Sequence, residues 1–159
     1  EYFKAMAPEE FYRRGEKYLK EYVTKPLDLK KIAEMVRTRV ETFLDIREMV
    51  DFFNELRAYE TELFVNKKSK SSLESSREIL GEVLPKLEAV ESWNNDALFE
   101  LLKAYGEEKG YKTGLVMWPL RIALSGKLMT PAGATEIMDV LGKEESLARL
   151  REGQKKLGA

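Results

Sequence analysis

Leu115-Val116-Met117-Trp118-Pro119-Leu120-Arg121-Ile122-Ala123-Leu124 is apolar at every position except Arg121. A helix of this composition is hydrophobic nearly all round, so it belongs inside a packed domain. Gly126 stops it. No apolar stretch in the chain, this one included, is long enough to span a bilayer.

Reading outward from this helix, the 3.6-residue period dominates and strand signals are nearly absent. Downstream, Thr130-Pro131 reads as an N-cap followed by proline, opening a helix that ends near Gly142. A last helix from Lys143 to about Leu157 puts Leu147, Leu150 and Leu157 on one side. Upstream, Asn94 or Asn95 caps a helix with Leu98, Leu101, Leu102 and Tyr105 inward. Before it, Ser71 or Ser72 caps a helix bearing Leu80, Val83, Leu84, Leu87 and Val90, kinked at Pro85. Asp28 is a good N-cap for the run Leu29, Ile32, Ala33, Val36, Val40, Phe43 and Leu44, and the stripe resumes with Ile46, Met49, Val50, Phe53 and Leu56. Pro8-Glu9-Glu10 opens the first helix, with acids placed against its dipole. The fold class is therefore all-α, a helical array of seven or eight short helices. The polar, unpatterned Asn66–Ser72 segment divides it into two subdomains, 1–68 and 69–159.

The 159 residues are 43% apolar, enough to fold without a metal or disulfide staple. Cysteine and histidine are both absent. That removes disulfides, thiolate nucleophiles, His-ligated metals and the unperturbed near-neutral acid/base, so an isolated catalytic domain is not expected. No signal sequence opens the chain, and with cysteine absent a cytoplasmic setting is expected. The first residue is Glu1, which reads as a piece whose remainder lies upstream. Net charge is −1, so no whole-chain basic field advertises nucleic acid. The balance is uneven: from Gly110 onward 8 Lys/Arg face 5 Asp/Glu, a local +3, whereas residues 1–109 hold 19 against 23, a local −4. A mild positive bias at this end is compatible with RNA contact.

Lys67-Lys68-Ser69-Lys70-Ser71 matches the Lys-x-Ser-Lys-Ser loop with which class I synthetases bind ATP phosphates. The sheet and His-x-Gly-His motif that accompany that loop are missing, so the segment reads as a solvated connector. Its lysines, with Arg77, can still touch a phosphate backbone nonspecifically. The pairs Glu9-Glu10, Glu107-Glu108 and Glu144-Glu145 lie at helix ends and serve dipoles and solvation. Arg121 is different. Among apolar neighbours a guanidinium needs a planar, acceptor-rich partner, which is either a carboxylate or carbonyl clamp within the protein, or an RNA base edge or phosphate. Close by, Thr130-Pro131-Ala132-Gly133-Ala134 makes a helix start of small residues whose backbone donors RNA can approach.

Gly114-Leu115, then Pro119-Leu120-Arg121-Ile122-Ala123-Leu124-Ser125-Gly126, Thr130-Pro131 and Leu141-Gly142-Lys143-Glu144-Glu145-Ser146-Leu147-Ala148-Arg149-Leu150 follow one another at fixed spacing. In that order they resemble the C-terminal, anticodon-binding region of bacterial-type glutamyl-tRNA synthetases. Met6-Ala7-Pro8, the Arg39-Val40 helix, Phe52-Phe53 and the turn at Trp93 fit as well, so the likeness covers essentially the whole chain.

The resemblance implies a helical cage that receives the unstacked anticodon bases of glutamate tRNA. It implies a parent ligase that joins glutamate to its tRNA using ATP and magnesium. Both of those would bind a catalytic domain absent here, and no cofactor or metal is expected in this part. The family's anticodon-reading arginine falls on Arg121 and its Thr-Pro helix start on Thr130 and Pro131, with Gly133 and Ala134 next to them. Family members commonly place glycine directly after that proline, whereas here Ala132 intervenes. A second reading arginine is expected in the first subdomain, where Arg37, Arg39 and Arg47 are all candidates. The resemblance further implies a monomer that binds tRNA and no membrane. The alternative is a helical protein-interaction module without RNA binding, which the near-neutral charge would permit.

Overall fold

The computed structural model describes residues 2–158. Among the described residues there are eight α-helices: α1 (Pro8–Tyr22), α2 (Leu29–Arg37), α3 (Ile46–Asn54), α4 (Leu73–Glu88), α5 (Asn95–Lys109), α6 (Thr113–Ser125), α7 (Ala134–Leu141) and α8 (Lys143–Lys156). Two short 3₁₀ turns, Phe43–Asp45 and Thr61–Phe64, complete them. Among the described residues there is no strand, only an isolated antiparallel bridge between Asn66 and Ser71. The fold is all-α, as the periodicity predicts.

The helices form two compact units. The first comprises residues 1–56 together with 129–132, and the second 57–128 with 133–159. These units part at Leu56–Arg57, whereas the sequence reading places its subdomain junction at 68/69. The polar loop there is folded into the second unit.

In the first unit, Asp28 caps α2 by accepting from the main-chain N–H groups of Lys30 and Lys31, at 3.1 and 3.2 Å. The apolar stripe predicts a longer α2, but the helix ends at Arg37. Further on, the Asp45 carboxylate accepts from the N–H of Thr42 at 3.0 Å and of Glu41 at 3.2 Å, which turns the chain into the 3₁₀ segment. Leu44, assigned to the inward stripe by its spacing, is instead 69% exposed. Phe43 lies parallel to Tyr18 with ring centroids 5.1 Å apart and packs close to Gly15, where an added Cβ would sit 3.0 Å from its ring. Phe3, Phe11, Leu19, Ile32, Val36, Val50 and Phe53 build the core beneath.

The second unit is arranged around α6. This helix meets α4, α5, α7 and α8, which explains why it tolerates almost no polar residue. Ser72 caps α4 and Asn94 caps α5, each accepting an N–H three residues on, at 3.0 and 2.9 Å. Pro85 lies within α4, which continues through it to Glu88. α6 ends at Gly126, left-handed at φ 66°, whose N–H returns to the Ile122 carbonyl. α8 comes very close to α6: a Cβ on Gly153 would lie 2.8 Å from that of Ala123.

One boundary differs from the sequence reading in a way that matters for the site. Thr130 is not an N-cap. Its hydroxyl donates to the Ala132 carbonyl at 2.7 Å and is buried, so it does not reach the helix start. α7 begins at Ala134, with Gly133 in the cap position and the Gly133 N–H donating to the Glu136 carboxylate at 3.1 Å. Thr130 and Pro131 belong with the first compact unit, Gly133 and Ala134 with the second.

Candidate nucleic-acid interface

α6 is buried on most of its circumference, but one stripe opens. Gly114, Met117, Trp118 and Arg121 repeat at the i, i+3/i+4, i+7 spacing of a single helix face, and together they floor a cleft of about 650 Å³ in the second unit. One wall is the start of α7, from Gly133 to Glu136, and another is Asn95 and Phe99 of α5. The remaining wall is the loop Asn66–Ser69.

The floor holds the chemistry. Arg121 is half-buried, and its guanidinium sits over the Trp118 ring, 4.7 Å from the centroid. Partial burial lowers its pKa from the ordinary arginine value, but arginine stays charged at any physiological pH. The indole face offsets part of that desolvation, because a cation over a π-system keeps a favourable electrostatic partner when water is withdrawn. Trp118 is itself held in place: its indole N–H donates to the Leu63 carbonyl at 2.9 Å. Beside the floor lies the start of α7, where the Gly133 N–H is held by the Glu136 carboxylate at 3.1 Å. Thr135 is fixed by donating to the Asn95 side-chain carbonyl at 2.7 Å. Phe99 is 37% exposed at the rim, a large aromatic surface left open to solvent.

Arg121, Gly133 and Ala134 therefore lie together along this cleft, whereas Thr130 and Pro131 are buried and are not among its lining residues. The three arginines left open in the first unit are now distinguishable. Arg37 is committed to structure: its Nη1 donates to the carbonyls of Phe3, Lys4 and Met6 at 3.2, 2.9 and 3.1 Å, and Nη2 pairs with Glu34 at 2.8 Å. Arg39 is exposed, with its Nε donating to the Pro131 carbonyl at 2.6 Å. Arg47 is exposed too, over the Tyr22 ring at 4.9 Å and 3.5 Å from the Glu21 carboxylate.

Two parts of the cleft escape a reading of the sequence. Trp118 is one, because an aromatic residue in an apolar run looks like core. The 66–71 loop is the other. It is a tight hairpin: Asn66 and Ser71 exchange main-chain hydrogen bonds at 3.0 and 2.9 Å, the Asn66 side chain accepts from the Ser69 N–H at 2.8 Å, and Lys70 takes φ 64°.

A cleft floored by an aromatic plane and a guanidinium is suited to a flat, polar-edged ligand. Among the described residues no group of three His, Cys, Asp or Glu is placed to hold a metal, and no helix is long and apolar enough to cross a membrane.

Comparison with known proteins identifies the family. The chain is 46% identical over 158 residues to a glutamate–tRNA ligase of Clostridium acetobutylicum, covering 99% of this chain and 33% of that protein. It is likewise 46% identical over 159 residues to the glutamate–tRNA ligase of Lachnoclostridium phytofermentans, covering 100% of this chain and 32% of that one. A crystal structure of a glutamate tRNA ligase from Elizabethkingia meningosepticum, in complex with its amino acid, superposes with a TM-score of 0.80 at 25% identity, over 98% of this chain and 30% of that one. The chain thus spans about a third of the length of the curated relatives it matches. Residues 10–154 match the family model described as an anticodon binding domain, and this chain is a member of that anticodon-binding domain family.

Proposed function

We propose that this chain is the anticodon-reading part of a glutamate–tRNA ligase and that the α6 cleft receives an unstacked anticodon base. Arg121 carries the proposal: it is the sole charge on α6, half-buried above Trp118, on the floor of an open cleft. An unstacked base offers a π-face to an aromatic platform and polar edges to a guanidinium, and single-stranded loops are read in this way without a strongly basic protein. Gly133 and Ala134 bring the first turn of α7 to one wall, where the Ala134 amide supplies a further donor, the Gly133 N–H being held by Glu136. Thr130 and Pro131 shape the segment leading into that wall. In the first unit, Arg39 and Arg47 are the candidates for a second reading arginine, since Arg37 is occupied by main-chain carbonyls.

In this reading the ATP, magnesium and glutamate chemistry of the ligase belongs to protein outside this chain. The chain binds glutamate tRNA as a monomer and catalyses nothing alone. Titration with the anticodon stem-loop of glutamate tRNA, in gel-shift assays at several salt concentrations, tests it. Binding is expected, with log affinity falling linearly in log salt as phosphate counterions are released. Absence of salt-dependent RNA binding by the folded chain would favour a protein-interaction module instead.

A further inference from the structure

Three lysines of the second unit are held by the protein's own acceptors. Lys109 pairs with Glu82 at 3.2 Å, Lys143 donates to the Glu88 and Val90 carbonyls at 2.8 and 2.6 Å, and Lys156 donates to the Tyr59 carbonyl at 3.0 Å. These three close helix ends and neighbouring segments. Lys67, Lys68 and Lys70 are exposed, and among the described residues no carboxylate or carbonyl engages their ammonium groups. Three like charges within four residues repel one another. A hydrogen-bonded turn that holds them together, with no carboxylate in contact with their ammonium groups, favours an external anion.

The turn is rigid and is tied to the cleft floor. Its Asn66–Ser71 pairing, the Asn66–Ser69 side-chain bonds and the buried contact between the Ser71 and Ser76 hydroxyls, at 3.1 Å, fix its shape. The chain entering it is held by Trp118 through the Leu63 carbonyl, and Phe64 is fully buried. Ser69 packs against the start of α6, where a Cβ on Gly114 would be 3.8 Å away. The hairpin is thus tied to the Trp118–Arg121 floor, with Lys68 in the cleft wall.

We infer that the 66–71 hairpin is a phosphate-binding wall, in which Lys68 neutralises the phosphodiester of the nucleotide whose base lies on Trp118 and Arg121, with Lys67 and Lys70 serving adjoining phosphates. This inference rests on the anticodon-cleft reading above. A base seated on the floor must carry its own phosphate toward the rim, and Lys68 is the cation that the structure places in the lining there besides Arg121. The contact is one of position and charge, so it carries no sequence information.

The test uses the whole chain, the glutamate-tRNA anticodon stem-loop and a second stem-loop with altered anticodon bases. A single-strand phosphate contact contributes about 0.7 to the slope of log affinity against log salt, which corresponds to about fivefold in affinity at 0.1 M relative to 1 M salt. Lys68→Ala is expected to flatten the slope by about that amount and to weaken both stem-loops equally, about fivefold at 0.1 M salt, with an unchanged melting temperature. Lys68→Arg should restore slope and affinity. The triple change of Lys67, Lys68 and Lys70 to Ala should flatten the slope further. If the wild-type chain binds RNA but Lys68→Ala keeps its slope and affinity, the hairpin is no phosphate site and the cleft reading survives. If Lys68→Ala weakens only the cognate stem-loop, Lys68 reads a base and the phosphate assignment is overturned. If the wild-type chain binds neither stem-loop, both the cleft reading and this inference fall.

Discussion

On the side of α6 that meets α8, Gly153 lets the two backbones approach until Cβ atoms would collide, and Arg149 fills the helix end. Arg149 is 3% exposed; its Nη1 donates to the Leu124 carbonyl at 2.7 Å and its Nε to the Glu145 carboxylate at 2.8 Å. On the cleft side, Arg121 is only half-buried, and it sits over an aromatic ring beside an open wall. Both residues place a guanidinium against the same apolar helix. A buried cation in a closed interface must be satisfied by the protein itself, because an unpaired charge there costs several kcal/mol. A cation at the edge of a cleft can stay partly solvated until a ligand replaces the water. The first arrangement serves stability; the second, in the proposed reading, serves binding.

Removing the two arginines should therefore fail in different ways. The larger effect is expected at Arg149. Arg149→Ala loses a charge-assisted bond to the Leu124 carbonyl, its carboxylate partner and the packing of its stem, although one of its buried N–H groups, on Nη2, has no hydrogen-bond partner to lose. A loss of about 3 kcal/mol follows from bonds to charged groups of this kind, which in a chain of this size lowers the melting temperature by roughly 6–12 °C. Selectivity between stem-loops should be unaffected in the molecules that remain folded. A melting temperature within a degree of wild type would mean that the closed side of α6 does not depend on Arg149.

Arg121→Gln should show the reverse. Loss of a good bidentate arginine–base contact costs on the order of 1–3 kcal/mol of discrimination, so the cognate stem-loop should bind roughly five- to 150-fold more weakly. A stem-loop with altered anticodon bases should change much less, and thermal stability should move little. Thermal melts run beside titrations with both RNAs decide between the roles. If melting drops and both RNAs weaken together, Arg121 is a structural cation like Arg149. If selectivity is unchanged in a well-folded variant, Arg121 is not in the reading site.

The same contrast explains which features the sequence made legible. The caps Asp28, Ser72 and Asn94 are short-range chemistry, where one side chain meets an amide two or three residues on, and the structure keeps all three. Arg121 stood out because a lone charge in an apolar run violates the local pattern. Trp118 did not, since nothing local separates a platform residue from a core residue; only its place on the open stripe does so. The end of α2 was hidden because Val40, Phe43 and Leu44 continue the helical spacing, while the break comes from the Asp45 carboxylate and from the room Gly15 leaves for Phe43. Thr130-Pro131 carries every local sign of a helix start, yet the Thr130 hydroxyl turns to Ala132 and Glu136 secures the Gly133 N–H instead. The lysine hairpin gave no hint of a cleft because its neighbours on α6 are distant in sequence.

The smallest effect concerns a flaw on the closed side. Tyr59 is 8% exposed, its ring carries Lys156 at 4.5 Å, and its hydroxyl is buried without a hydrogen-bond partner. Burial, reinforced by the negative charge of Glu152, pushes this phenol up to about 12. Because the folded pKa lies above the unfolded value near 10, the folded state holds the proton more tightly. The contribution of Tyr59 to stability is then complete below about pH 10 and is lost as pH rises from about 10 through 12. Tyr59→Phe keeps the ring under Lys156 and removes only the orphaned oxygen. At pH 7 the variant should be as stable as wild type or up to about 1 kcal/mol more stable, since no bond is lost and a desolvation penalty is relieved. Between about pH 10 and 12 it should lose stability less steeply, by about 2–3 kcal/mol over the interval at about 1.4 kcal/mol per pKa unit. Some alkaline loss will remain, because Tyr12 and Tyr111 are also raised above their ordinary values, by desolvation and by their Glu16 and Glu78 partners. Denaturant titrations of both proteins across this range measure the difference. A destabilisation of Tyr59→Phe by more than about 1 kcal/mol at pH 7 would show that the hydroxyl is bonded after all, for instance to an ordered water, and that the closed side is as fully satisfied at Tyr59 as the cost of burying a polar group demands.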